Sequence, residues 1–325
     1  MYKTFFNLQR SPFEITPDPA FMFPTQRHNE ALAALYYGVQ RRKGFVVMTG
    51  EVGTGKTLVV RCLLELLNRQ SVAYAYVFNS RLAPDEFLRY VAGDLGIPAK
   101  GKSKGELLLD LSTFLVSRYQ RKLTTVLVVD EAHHLATEVL EEVRLLTNLE
   151  TADQKLLQIL LIGQPELDHK LDSIELRQLK QRIAWRSHLN PLTREETAGY
   201  IHRRMRIAGA NSHSGSIFPA ETVATVYRHA RGIPRLINTV CENALISAYA
   251  KQSHTVTPAM VEEAAHDLRL GIVSMGAEDE NKSNDEALRR AMRTMLDFSE
   301  ALHAAKSQQR ETIKMRMVAG THPDE

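Results

Sequence analysis

The feature that most restricts how this chain can fold is an apolar run that leads directly into a glycine-rich turn. Residues 44–50 are GFVVMTG, residues 50–57 are GEVGTGKT, and an apolar segment of helical periodicity follows. A short apolar run before a turn predicts a buried strand of a parallel sheet. The turn matches the pattern GxxxxGK[ST], whose glycines let backbone N–H groups surround phosphate groups at the start of a helix. The sequence therefore predicts a strand–loop–helix unit that binds phosphate.

Strands and helices alternate on both sides of this unit. Further apolar runs, at residues 72–79, 124–130 and 156–163, alternate with segments of helical periodicity. Such alternation predicts an α/β fold in which helices cover both faces of a doubly wound parallel sheet. After Pro191 the strands stop and four helix-like segments follow, which predicts a small C-terminal all-α lid domain. We expect Thr193 to be the N-cap of the first of these helices, and Thr257 that of the last.

Four regions follow from these patterns. They are an N-terminal arm at 1–25, a nucleotide-binding α/β domain at 26–190, a helical lid at 191–270, and a polar linker with a tail at 271–325. The arm is rich in aromatic residues and prolines, which predicts extended chain with turns. The tail contains one candidate helix, whose apolar stripe is either a docking surface for a partner or part of a solvated segment.

A second motif completes a site for a nucleoside triphosphate. The strand in TTVLVVDE brings Asp130 and Glu131 to the edge of the sheet where the phosphate loop begins. We expect Lys56 to contact the phosphates, Thr57 and Asp130 to hold Mg²⁺, and Glu131 to polarise the attacking water as general base. The predicted residues for binding ATP with Mg²⁺ are Gly50, Glu51, Val52, Gly53, Thr54, Gly55, Lys56, Thr57 and Asp130.

The apolar strand at 157–163 ends abruptly at Gln164, just before Pro165. We expect this strand to lie between the two motif strands, so that Gln164 reaches the same edge of the sheet. There its amide can hydrogen-bond the γ-phosphate or the attacking water, which is the role of a first sensor. A glutamine that only caps the turn before Pro165 is the alternative.

Arginines near the end of the α/β domain and in the lid are candidates for stabilising charge. Residues 176–192 carry Arg177, Arg182 and Arg186. We favour Arg182, with Arg177 second, as the residue that reaches a neighbouring subunit's γ-phosphate; a structural ion pair is the alternative. In GIPRLIN, Arg235 can reach the nucleotide of its own subunit as a second sensor, or form an interdomain salt bridge. The predicted catalytic residues are Glu131, Gln164, Arg182 and Arg235.

Composition narrows the class of protein further. Among 325 residues, 44% are hydrophobic and 24% are charged, which is ordinary for a globular chain, and the formal net charge is +3. This charge is too small to indicate a nucleic-acid partner by itself. The two cysteines predict reduced thiols, no apolar run is long enough to cross a membrane, and the N-terminus lacks the apolar core of a signal peptide. We therefore expect a cytoplasmic protein.

Together these motifs resemble those of the AAA+ ATPases. Within them the sequence is similar to the ExeA/GspA family of general secretion ATPases, and particularly to its members that serve MSHA pilus biogenesis. The resemblance covers residues 1 to about 270. Its segments are FFNLQRSPFEITPDPAFMF, GFVVMTGEVGTGKTLVVRCLLE, LVVDEAHHL, EVRLLTNLET, LLQILLIGQPELD, LRQLKQRIAWRSHLNPLTREE and GIPRLINTVCENAL.

The resemblance implies an ATPase that forms a homo-oligomeric ring or partial ring at the cytoplasmic face of the inner membrane. There it would assist assembly of a type IV (MSHA-like) pilus or a type II secretion machine. Longer members continue into a transmembrane helix and a periplasmic peptidoglycan-binding module that this sequence lacks, so membrane location is expected to need a separate inner-membrane assembly protein. The family's site positions fall here on Lys56, Thr57, Asp130, Glu131, Gln164 and Arg235.

Other functions stay open at this point. Related small AAA+ ATPases coat DNA, so a DNA-binding transposition regulator is the main alternative; Lys100, Lys102 and Lys104 give a modest basic signal that also suits a solvated loop. A nucleotide-dependent switch with slow hydrolysis is a third possibility. The letters DEAH suggest a helicase, but that class needs two tandem nucleotide-binding folds. His133 and His134, in the same letters, are interpreted as packing or surface residues rather than ligands.

Overall fold

In the computed structural model, which describes residues 2–68, 71–78, 81–210 and 217–270, the α/β domain is built on five parallel strands. The strands are β1 (Phe45–Gly50), β2 (Ala73–Val77), β3 (Thr125–Val129), β4 (Leu157–Gly163) and β5 (Trp185–Leu189). Their order across the sheet is β2-β3-β4-β1-β5. The predicted α/β fold with a doubly wound parallel sheet is confirmed, and β4 lies between the two motif strands as expected. The candidate tail helix lies outside the described residues.

Strand β5 does not stand out in the sequence because it lies at the edge of the sheet. It pairs with β1 from Val46 opposite Trp185 to Gly50 opposite Leu189. Of its residues only Leu189 is buried, so the strand lacks the apolar run that marks the three inner strands, β3, β4 and β1. This pairing attaches the arginine-bearing segment directly to the strand that leads into the phosphate loop.

Helices surround the sheet and form the lid. They are α1 (Tyr2–Phe5), α2 (Gln26–Gln40), α3 (Lys56–Asn68), α4 (Pro84–Asp94), α5 (Lys104–Gln120), α6 (Thr137–Leu146), α7 (Glu166–Leu171), α8 (Arg177–Lys180), α9 (Arg194–Ile207), α10 (Ala220–Ala230), α11 (Pro234–Ala250) and α12 (Pro258–Asp267). Short 3-10 turns lie at Pro19–Phe21 and Ala132–His134. Thr193 and Thr257 cap α9 and α12 as predicted. None of the helices in the described ranges is both long and apolar enough to cross a bilayer.

Two apolar layers fix the sheet in place. Val46 and Met48 of β1 are buried on the face covered by α2 and α3, whereas Phe45 and Val47 are buried on the opposite face, under α4 to α8. Each such fully buried side chain contributes about 1.5–3 kcal/mol to the free energy of unfolding. A slip of one residue would exchange the two faces, so burial on both faces specifies the register of each strand. Since the strands are parallel, the carboxyl ends of β1, β3 and β4 meet at one edge of the sheet.

The lid helices share their apolar core with the N-terminal arm. Phe6, Leu8 and Phe13 of the arm are buried in the same cluster as Ile201 of α9 and Val240 of α11. The sequence predicts extended chain with turns here; in the structure the arm has short helical turns at Tyr2–Phe5 and Pro19–Phe21, and its aromatic residues contribute to the lid's core.

A buried arginine connects the lid to the arm. The Arg204 guanidinium donates hydrogen bonds to the carbonyl oxygens of Pro12 (2.6 Å) and Glu14 (3.3 Å) and to the Tyr200 hydroxyl (2.7 Å). The Tyr200 hydroxyl donates to Asn238 Oδ1 (2.8 Å), and Asn238 Nδ2 donates to the Glu14 carbonyl (3.3 Å). In this network, called here the lid–arm junction, each nitrogen of the Arg204 guanidinium and the Tyr200 hydroxyl has a hydrogen-bond partner in the arm or the lid.

Candidate nucleotide site

The phosphate loop lies between β1 and α3, as the sequence predicts. Gly53 and Gly55 have φ angles of +81° and +102°, values that residues with a Cβ rarely adopt. These conformations curl the loop, and α3 begins at Lys56, so free backbone N–H groups of a 13-residue helix face the loop. The local geometry is that of an anion site.

Lys56 is buried at the centre of the loop. Its Nζ donates hydrogen bonds to the carbonyl oxygens of Gly50 (2.8 Å) and Glu51 (3.0 Å). Burial lowers the pKa of Lys56, and the carboxylates of Glu131 and Asp130 oppose that shift. The ammonium group therefore lies in a position that is favourable for an added negative charge.

Asp130 follows β3 and faces the first turn of α3. Thr57 Oγ1 donates to Asp130 Oδ2 at 3.2 Å, and the Tyr76 hydroxyl donates to the same oxygen at 2.7 Å. The backbone N–H of Glu131 donates to Oδ1 at 2.9 Å. Burial, and then the charge of Glu131, raises the pKa of Asp130. A hydroxyl beside a buried carboxylate is a pair of hard oxygen donors, which fits Mg²⁺, and a cation there would offset the cost of the buried charge.

Glu131 occupies an unusual backbone position at the end of β3. Its φ of +51° lies in the left-handed region, which costs a residue with a Cβ about 1–2 kcal/mol. Oε2 of Glu131 is buried and has no hydrogen-bond partner among the described residues. A strained backbone that holds an incompletely bonded carboxylate is typical of functional sites.

Gln164 reaches the same edge from β4. Its side-chain amide nitrogen lies 3.0 Å from Nε2 of His133, in the turn that follows Glu131. Burial, and then the neighbouring His134, lowers the pKa of His133 to about 4. The imidazole is therefore neutral near pH 7. His133, which the sequence analysis interprets as a packing or surface residue, thus contacts the predicted first sensor and lies 3.4 Å from Oε2 of the predicted general base.

Arg235 begins the lid helix α11 beside the phosphate loop. Its backbone N–H donates to the carbonyl oxygen of Gly53 at 3.2 Å. A Cβ at Gly53 would lie 2.8 Å from the Cβ of Arg235 and 3.0 Å from Ile233, so only glycine allows this approach. The Arg235 side chain is exposed, and the described residues offer it no hydrogen-bond or ion-pair partner. The interdomain salt bridge considered from the sequence is absent from the described contacts.

The three arginines near β5 differ in their surroundings. Arg182 donates to Thr147 Oγ1 at 2.8 Å. Arg186 contacts the carboxylates of Asp168 and Asp172, both at 3.3 Å. Arg177, at the start of α8, is exposed and has no side-chain polar partner in the described part of the chain.

Comparisons with known proteins show the family and the fold of the chain. A family model described as an AAA domain matches residues 39–171. Over 269 residues, or 82% of its length, the chain is 43% identical to general secretion pathway protein A of Aeromonas hydrophila. The chain belongs to the GspA family of AAA+ proteins. It spans about half of that relative, 48% of its length.

Solved structures share the fold at lower identity. The Aeropyrum pernix ORC2 protein, solved as ADPNP–ADP complexes, is 19% identical with a TM-score of 0.60, over 80% of this chain and 72% of that one. Cdc6p from Pyrobaculum aerophilum is 18% identical with a TM-score of 0.59, over 84% and 72%. At these identities the likeness shows the AAA+ fold alone.

Some residues of this GspA-family site have no motif that would reveal them. His28 of α2 is buried, with Nδ1 2.6 Å from Thr25 Oγ1 and Nε2 3.1 Å from the Thr54 carbonyl oxygen. Burial lowers its pKa. Thr54 is itself buried, whereas Glu51 and Val52 are exposed at the tip of the loop. The one available signal is that Thr25 begins a helix three residues before His28, and it does not indicate contact with the phosphate loop.

The basic loop behind the DNA-binding alternative is partly neutralised. Lys102 pairs with Asp110, and Lys104 Nζ lies 2.5 Å from Glu142 Oε1. Lys100 is exposed. Two of the three lysines therefore have carboxylate partners within their own subunit.

Proposed function

We propose that this chain hydrolyses ATP in a Mg²⁺-dependent reaction. The observation that carries the proposal is the meeting of Lys56, Thr57, Asp130 and Glu131 at the carboxyl edge of three neighbouring strands. A loop with two left-handed glycines and a helix N-terminus favours phosphate binding, and a partly bonded carboxylate beside it favours hydrolysis over binding alone.

The site residues divide the chemistry among them. Lys56 and the N-terminus of α3 would hold the phosphates, and Thr57 with Asp130 would hold Mg²⁺, which neutralises charge on the β- and γ-phosphates when it is bound. Glu131 would accept a proton from the attacking water. Gln164 would orient that water or the γ-phosphate.

Arginines would complete the charge stabilisation. Two observations support the second-sensor role of Arg235: its backbone is hydrogen-bonded to Gly53 of the phosphate loop, and its exposed guanidinium has no partner among the described residues. For the residue that acts on a neighbouring subunit, we place Arg177 ahead of Arg182 and Arg186. Its guanidinium is free to reach a second copy of the chain, whereas the others are bonded within their own subunit.

We further propose that this ATPase acts as a ring or partial ring in the assembly of a type II secretion machine or a type IV (MSHA-like) pilus. The 43% identity to general secretion pathway protein A supports the secretion role. The cytoplasmic face of the inner membrane, with an inner-membrane assembly protein as partner, is the location that fits this role. Pilus assembly rests on the resemblance of the sequence motifs.

Complementation between two inactive variants tests this proposal. Lys56→Ala removes the phosphate ligand and keeps the arginines, whereas Arg177→Ala keeps the phosphate loop and removes the arginine. If hydrolysis depends on a neighbouring subunit, mixing the two proteins restores part of the ATPase activity that neither has alone. Arg182→Ala in the same mixture identifies which arginine acts, and the exposed Arg206→Ala is the matched control.

The rate of ATP hydrolysis by the wild type, measured against protein concentration and with or without duplex DNA, distinguishes the proposal from its alternatives. Activity per subunit that rises with protein concentration and ignores duplex DNA supports an assembly ATPase. Activity that requires duplex DNA and disappears at high salt would favour the transposition regulator instead. Hydrolysis independent of concentration, with no complementation, would contradict the ring and leave a monomeric switch.

A further inference from the structure

The ring of His133 lies between the proposed general base and the proposed first sensor. Its Nδ1 lies 3.4 Å from Glu131 Oε2, and its Nε2 lies 3.0 Å from the amide nitrogen of Gln164. The ring is buried, and the His133 carbonyl oxygen accepts a hydrogen bond from Lys170 Nζ at 2.8 Å. His133 is therefore held firmly where both functional side chains contact it.

Gln164 contacts both nitrogens of this neutral imidazole. Its side-chain amide donates to Nε2 at 3.0 Å, and its backbone N–H donates to Nδ1 at 3.4 Å. The shorter contact favours the tautomer with the ring proton on Nδ1, which lies 3.4 Å from Glu131 Oε2. Glu131 Oε2 has no hydrogen-bond partner among the described residues. A move of Gln164 away from the ring would therefore free Nδ1–H to donate to this carboxylate.

We propose that His133 is a positioning residue that couples the sensor Gln164 to the general base Glu131, an inference that rests on the proposed ATPase function. When the Gln164 amide turns to a γ-phosphate or to the attacking water, His133 Nε2 loses its donor. The imidazole can then reorient, and this movement changes the orientation of the Glu131 carboxylate. Detection of phosphate by β4 would in this way control the base that follows β3.

The chain offers a matched pair of variants for testing this coupling. His133→Ala removes the buried ring, whereas His134→Ala removes the exposed ring beside it. We expect His133→Ala to lower kcat for ATP about tenfold, while KM changes less than about twofold, because the carboxylate loses orientation and the phosphate ligands are untouched. We expect His134→Ala to match the wild type, and His133→Asn, whose amide can donate to Glu131, to recover part of kcat.

A double-variant cycle separates coupling from a merely structural role. If both residues act through one contact, His133→Ala with Gln164→Ala has about the same kcat as the worse single variant. If the kcat losses of the two single variants multiply in the double variant, the inference is overturned. A His133→Ala variant with a lower melting temperature and unchanged kcat would also overturn it. Should His133→Ala not fold, the same cycle with His133→Asn decides the question.

The controls distinguish failure of this inference from failure of the proposed function. A wild type that hydrolyses ATP, together with a His133→Ala variant as active as His134→Ala, overturns the coupling and leaves the ATPase intact. A wild type that binds ATP and does not hydrolyse it overturns both.

Discussion

The phosphate edge of the sheet, where β1, β3 and β4 end, and the lid–arm junction both bury charge, but they satisfy it very differently. At the junction, the Arg204 guanidinium donates to two carbonyl oxygens and a hydroxyl and lies 4.6 Å over the ring of Phe21. At the phosphate edge, Lys56 bonds only to loop carbonyls, Asp130 has a raised pKa, and one oxygen of Glu131 has no described partner. Each nitrogen of the Arg204 guanidinium has a partner, whereas Glu131 Oε2 has none among the described residues.

This difference indicates which region stabilises the fold and which region performs chemistry. A buried charge that donates to several groups on two segments holds those segments together, and its removal leaves several acceptors unsatisfied. Charges that lack partners destabilise the fold slightly and are available to a ligand. Substitutions at the phosphate edge should therefore reduce activity with little loss of stability, and those at the junction should do the reverse.

The largest effect is expected for Lys56→Ala. The substitution removes about two charge-assisted hydrogen bonds to phosphate, each worth roughly 1.5–3 kcal/mol, so kcat/KM for ATP should fall about 10³-fold. Because burial lowers the pKa of Lys56, its loss should leave the melting temperature unchanged or raise it. Steady-state hydrolysis and thermal unfolding measure both, with the exposed Lys43→Ala as control. A melting temperature that falls together with the activity would mean that the phosphate edge also stabilises the fold, which contradicts the proposed difference between the two regions.

Arg204→Ala should show the opposite behaviour. Loss of the guanidinium leaves the carbonyl oxygens of Pro12 and Glu14 with fewer donors and releases the arm from α9. We expect the free energy of unfolding to fall by about 3 kcal/mol, with unchanged hydrolysis per folded molecule. Chemical denaturation measures this, and Arg206→Ala, on the exposed face of the same helix, should cost less than about 0.5 kcal/mol. Equal losses for the two arginines would contradict the account of the junction.

Gly53→Ala tests the contact between the lid and the phosphate loop. A Cβ there meets Arg235 at 2.8 Å on a backbone with φ of +81°, which strains the loop by about 1–2 kcal/mol. We expect ATP affinity to fall about tenfold, as measured by nucleotide titration. Gly105→Ala is the control, because a Cβ at that position in α5 meets nothing within 4 Å. It should stabilise the protein slightly.

The last prediction concerns the dependence of stability on pH. His133 has a pKa of about 4, lowered from an ordinary value of 6.5, so the unfolded chain binds a proton more readily than the folded one between these pH values. The stabilisation is complete well above pH 6.5 and is lost as pH falls towards 4, about 2 kcal/mol between pH 7 and pH 5. Denaturation at both pH values should show this loss, and His133→Asn should reduce it. An unchanged pH dependence in the variant would mean that His133 titrates normally.

Sequence patterns were sufficient where one residue type at one spacing defines the chemistry. Lys56, Thr57 and Asp130 lie together because parallel strands bring their carboxyl ends to one edge, and the apolar runs of the inner strands predict that sheet. Gln164 reaches the same edge because β4 lies between β1 and β3.

Other features depend on contacts between segments that are distant in sequence. β5 is an exposed edge strand without an apolar run, and the arm is part of the lid core because Phe6 and Phe13 find their partners roughly 200 residues later. His28 and His133 have no pattern of their own, and only the folded chain shows that each contacts a loop of the site. The order among the three arginines likewise depends on neighbours that no local pattern specifies.

Single-turnover ATP hydrolysis by Glu131→Gln, measured beside nucleotide binding and thermal unfolding, tests directly whether the phosphate edge performs the chemistry. The substitution keeps the size of the side chain and removes its capacity to accept a proton. The account predicts a rate about 10²–10⁴-fold below wild type, undiminished ATP affinity, and a melting temperature that is equal or higher. Hydrolysis at the wild-type rate, or a variant that no longer folds, would contradict the assignment of chemistry to the phosphate edge.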